Sequence, residues 1–168
     1  MSDRTDITPT GESRALNVAQ WHDMAQNGII LPVRTLVNGG SMWPLIRRNR
    51  DVVTVMPLQR TPQVGEIVLF PSPTRHGVYV IHRVWHIDGQ RIQTLGDNCA
   101  YPEQWQDSQS IWGIVTDIER GTRHLNPTAP LWETYGKLWL CLTPLRPALG
   151  KIRRAVRTLL RPLQHKDL

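Results

Sequence analysis

The chain has 168 residues, 40% of them hydrophobic, and a formal net charge of +6. That suits one packed domain with appended segments and excludes a disordered chain, while the positive charge raises the question of an anionic partner. Two distant cysteines, Cys99 and Cys141, offer neither a disulfide framework nor a zinc ligand set, so no metal, no cofactor and a reducing compartment are expected.

Residues 1–14 are polar with charges of both signs and lack the apolar core of a secretory signal. No run approaches the roughly 20 apolar residues that span a bilayer. These features predict a cytoplasmic or peripheral protein. Residues 12–26 read as a short amphipathic helix, with Leu16, Ala19, Trp21, Met24 and Ala25 on a partial apolar side and Asn27-Gly28 as its stop.

From Ile29 the pattern changes to short branched runs at residues 29–37, 51–58, 66–70, 77–87, 91–95 and 110–118. Asp88-Gly89 between the fourth and fifth is a hairpin signal. Six such runs without intervening helical pattern predict a mainly β, antiparallel core over residues 29–122. Residues 1–28 are expected to hold a disordered start and the N-terminal helix. Residues 123–168 are expected to hold a Pro-, Trp- and Leu-rich segment and a basic amphipathic helix.

In that last helix Leu149, Ile152, Val156, Leu159, Leu160 and Leu163 share one face, with Lys151, Arg154, Arg157 and Arg161 around the other. Such a helix fits an anionic membrane surface; the alternative is packing on the core or on a second copy. Nucleic acid is not expected as a partner, because the basic cluster has no aromatic interleaving and no helix-turn-helix pattern precedes the core.

The segment that carries chemistry is Asn38-Gly39-Gly40-Ser41-Met42-Trp43-Pro44. A serine hydroxyl needs exposure, a base and oxyanion donors before it becomes a nucleophile. Gly39 and Gly40 let the backbone turn sharply and approach a substrate, Pro44 fixes the chain beyond, and Met42 and Trp43 are candidates to floor a hydrophobic subsite.

The pattern Gly39-x-Ser41-Met42-x-Pro44, followed by Asp51-Val52-Val53, resembles the first box of type I signal peptidases and their relatives. Four further boxes resemble the family's in the same order: Val64-Gly65-Glu66-Ile67-Val68, Ile81-His82-Arg83-Val84, Leu95-Gly96-Asp97-Asn98 and Trp112-Gly113-Ile114-Val115. The resemblance covers about residues 36–118. It implies a signal-peptidase- or LexA-like β fold and a serine endopeptidase acting on leader or signal-like peptides.

Bacterial-type signal peptidases and the LexA-like repressors use a Ser–Lys dyad, whereas archaeal and endoplasmic-reticulum types carry histidine in that place; here it is His82. The three lysines are Lys137, Lys151 and Lys166, so none lies in the core boxes. A neutral imidazole suits a general base at pH 7. The resemblance implies Asp97 as the third residue, with Asp107 as second choice. His86, which shares the strand face at period two, and His76, in a loop, are competitors that lack the following Arg-Val.

The chain departs from the family pattern at two places. Gly39 stands where a serine often helps bind the oxyanion, which leaves backbone amides, chiefly that of Ser41, for the role. The N-terminal membrane anchor of a true signal peptidase is missing, as in small anchorless bacterial relatives. A LexA-like self-cleaving switch and a non-catalytic peptide-binding module on the same fold are the alternative readings.

Overall fold

The computed structural model describes residues 13–143. Helix α1 (Ser13–Gln26) precedes eight strands: β1 (Val33–Leu36), β2 (Val52–Pro57), β3 (Ile67–Pro71), β4 (Tyr79–Asp88), β5 (Arg91–Leu95), β6 (Gln106–Asp107), β7 (Gly113–Arg120) and β8 (Arg123–Leu125). Helix α2 (Pro130–Cys141) follows. The strands form one antiparallel sheet in the order β1-β2-β7-β3-β4-β5-β6, with β8 added on β7.

The expected mainly β architecture is therefore observed, and all six expected strands are present. The first is shorter than residues 29–37: Pro32 withholds a ladder amide, and Ile29 to Leu31 stay exposed before β1. Strands β6 and β8, of two and three residues, are too short to leave a periodic signal. The basic helix expected at residues 149–163 lies outside the described residues.

The sheet is covered on both faces. Val53, Val55, Ile67, Leu69, Val115 and Ile118 pack with Val18 and Trp21 of α1 on one side. Val68, Phe70, Val84, Ile92 and Ile111 form the core on the other. Consecutive residues of β3 thus serve opposite cores, so the strand reads as an unbroken apolar run rather than an alternation. Gly113 makes room for α1, since a Cβ there would sit 2.8 Å from the Trp21 ring.

Helix α2 docks in the same manner. A side chain at Gly136 would lie 2.5 Å from a guanidinium nitrogen of Arg83, so only glycine lets this helix lie against the sheet. Trp139 then donates from Nε1 to the carbonyl of Asp97 at 2.9 Å. No helix among the described residues is long and apolar enough to cross a membrane.

Candidate active site

Ser41 lies in the turn between β1 and β2, half-buried at the start of a loop anchored by its neighbours. Met42 is 1% exposed and packs in the α1-side core with Leu45 and Ile46. That corrects the expectation that Met42 floors a subsite: its burial instead nails the loop to the fold. Trp43, 47% exposed, precedes a cis bond to Pro44, which lines a small open recess with Leu45, Arg120, Leu125, Trp132 and Tyr135.

The far end of the loop is held by a buried ion pair. Asp51 receives Arg120 on both oxygens at 2.9 and 2.6 Å and the Arg47 amide at 2.8 Å, while Arg120 also donates to the Leu45 carbonyl at 2.7 Å. Burial alone would push the Asp51 carboxyl up. The Arg120 and Arg47 contacts outweigh it and hold the group below its ordinary value.

His82 sits on β4 opposite Val68 of β3, only 5% exposed, with the Phe70 ring edge-on at 6.2 Å. Burial lowers its pKa to about 4, so the imidazole is neutral at pH 7. Its Nε2 faces Gly96, and the site turns on that glycine. A Cβ on Gly96 would lie 2.7 Å from the Cys99 sulfur, 2.8 Å from the Ser41 carbonyl oxygen and 3.0 Å from His82 Nε2. Three groups distant in sequence pack against the bare α-carbon of Gly96, so closely that only a residue without a side chain fits there.

The turn after Gly96 clasps the serine loop directly. Asn98 donates its amide to the Ser41 carbonyl at 2.6 Å and its side chain to the Gly40 carbonyl at 3.2 Å. The Ser41 hydroxyl and amide make no hydrogen bond among the described residues. Gly39 is open on the same side: a Cβ there meets nothing nearer than Ser41 Oγ at 4.0 Å. Gly40 is more open still.

No protein-family model and no curated protein sequence matches the chain significantly. The site is therefore read from its own geometry.

The two expected third residues are engaged elsewhere. Asp97 is fully buried and takes Arg83 Nε and Nη2 at 2.8 and 2.6 Å, while Arg83 Nη1 donates to the Gly65 carbonyl at 2.8 Å. Arg83 follows His82 on the strand and so points to the opposite face of the sheet. Asp107 is exposed and caps the 3-10 turn at Ser108–Ser110, accepting the Gln109 amide at 2.8 Å. Among the described residues, the carboxylate that reaches His82 is that of Glu103, 3.4 Å from Nδ1.

Glu103 carries no motif signal. It lies five residues beyond the Gly96-Asp97-Asn98 box, and only the fold of the connecting loop delivers it. The histidine competitors are also resolved. A bulge at Trp85 shifts the register, so Val84 faces Thr94 whereas His86 faces Gln93. His86 therefore leaves the face that carries His82, and it is exposed beside Trp85. His76 is exposed in the turn between β3 and β4.

Proposed function

We propose that the chain is a serine endopeptidase in which Ser41 is the nucleophile and His82 its general base. Its substrates are extended leader or signal-like peptides. The observation that carries this reading is that the Ser41 carbonyl and His82 Nε2 both pack against Gly96, which brings the serine loop beside the imidazole. The resemblance of five ordered sequence boxes to histidine-type signal peptidases supplies the substrate class.

Nε2 of the neutral imidazole accepts the Ser41 hydroxyl proton as Oγ bonds to the scissile carbonyl carbon. The Ser41 amide, free of internal partners, stabilises the oxyanion. Collapse breaks the carbon–nitrogen bond, with the His82 proton going to the leaving amine. Water, deprotonated by the same imidazole, then hydrolyses the Ser41 ester and releases the new carboxylate. Glycine at position 39 supplies no side-chain donor to the oxyanion. One such donor contributes roughly 3–4 kcal/mol, so slow turnover is expected.

A quenched peptide library incubated with wild type, Ser41→Ala and His82→Ala tests the reading. Cleavage by wild type alone supports it, and equal signals from all three proteins overturn it. A shorter form of the protein itself, dependent on Ser41, would instead point to self-cleavage.

A further inference from the structure

The imidazole of His82 is buried, yet its Nδ1 has no hydrogen-bond partner. A buried polar atom left without a partner calls for an explanation, and a functional role is one. We propose that Glu103 is the positioning residue of this site, accepting the Nδ1 proton of His82 and thereby reserving Nε2 for the Ser41 proton. The proposal rests on the reading of Ser41 and His82 as nucleophile and base, and it gives Glu103 the part expected of Asp97 or Asp107.

The backbone of Glu103 is fixed although its loop has little regular structure. Its amide donates to the Thr94 carbonyl at 2.8 Å, and its own carbonyl accepts from the Gln93 side chain at 3.1 Å. Both partners belong to β5, the strand beside β4, so the carboxylate is presented across the strand pair to His82. The separation of 3.4 Å is close for a charge pair and long for a hydrogen bond. Contacts of this kind shorten when a substrate completes the site.

The burial of the two partners is complementary. The imidazole is 6% exposed and the carboxylate 38%, so Glu103 keeps water on its outer side. That water screens the carboxylate. That is why burial, rather than the carboxylate, dominates the resting protonation of His82. In the transition state, when the ring becomes cationic, the same carboxylate is the nearest counter-charge.

Among the described residues no other ionisable group pairs with Nδ1. Cys99 lies against Gly96, on the Nε2 side. Arg83 and Asp97 satisfy each other on the opposite face. The remaining neighbours on the His82 face are uncharged: the Phe70 ring and, by register, Thr94 opposite Val84.

The test reads the tautomer of His82 directly, by long-range proton–nitrogen correlation on the nitrogen-labelled full chain at pH 7. Wild type is expected to carry the proton on Nδ1. Glu103→Gln should keep it there, because an amide oxygen accepts the same bond, and Glu103→Ala should move it wholly or partly to Nε2. A wild type protonated on Nε2, or a Glu103→Ala spectrum identical to wild type, overturns the proposal. On a cleaved peptide, Glu103→Ala should lower kcat roughly 100-fold with KM little changed, and Glu103→Gln should fall between it and wild type. An unchanged kcat in Glu103→Ala also overturns it. The tautomer needs no turnover: a wild type that cleaves nothing would sink the peptidase reading while the spectrum still decides the role of Glu103.

Discussion

His82 and Arg83 are neighbours on β4, both almost wholly buried, and they meet opposite fates. Arg83 finds both oxygens of Asp97 and the carbonyl of Gly65, and Gly136 opens the space for α2 to cover it. His82, on the other face, keeps Nδ1 without a hydrogen-bond partner and packs Nε2 against Gly96 beside the Ser41 carbonyl. A buried charge with all its partners holds the fold. A buried imidazole lacking one, packed beside the serine loop, is the group to which we assign the chemistry.

Substitutions at the two positions should separate these roles. His82→Gln should lower kcat/KM at least roughly 10³-fold through loss of the base, while the thermal transition survives; wild-type cleavage by this variant would break the comparison. Arg83→Met should do the reverse. It strands the Asp97 carboxylate in the interior at a cost of about 3–5 kcal/mol, seen as a large fall in the chemical denaturation midpoint. Replacing the pair together, with Arg83→Met and Asp97→Leu, should recover much of that loss, since a buried ion pair adds little beyond an apolar one.

Acid should expose the cost of burying His82. Its folded pKa is lowered, so on acidification the unfolded chain takes up the proton first. The stability tied to the neutral ring is present above about pH 6.5 and is lost as the pH falls toward 4, amounting to about 3 kcal/mol. Denaturation of wild type and His82→Gln at pH 7 and pH 4 should therefore show a larger loss in wild type; equal losses would contradict the buried, neutral imidazole. The smallest effect expected is a gain. Gly39→Ser fits, because nothing lies closer than Ser41 Oγ, and a hydroxyl there should raise kcat up to about tenfold by adding an oxyanion donor.

The strands were legible because branched runs and turn residues mark them, and Ser41 and His82 because each sits in a box that the sequence displays. Glu103 was not legible: it reaches His82 through a loop whose path is set by hydrogen bonds to β5, which no local pattern encodes. Asp97 was conspicuous for a different reason, since its box fixes the turn that clasps Ser41 while its carboxylate braces Arg83. Helix α2 was hidden by Ala129 at its cap, which supplies no side-chain hydrogen bond, and by Gly136 in its interior. Met42 was misplaced because a turn beside a nucleophile suggests a subsite, whereas the loop needed an anchor in the core.

The Cys99 thiol and the backbone carbonyl of Ser41 both lie against Gly96, so two residues with nucleophilic side chains meet there, and we assign the chemistry to Ser41. A peptide ester of a cleaved sequence acylates a serine enzyme faster than the adduct is hydrolysed, so an acid-quenched reaction can be mapped by mass spectrometry. The account predicts the acyl group on Ser41, absent in His82→Gln. An adduct on Cys99 with Ser41 unmodified would contradict it.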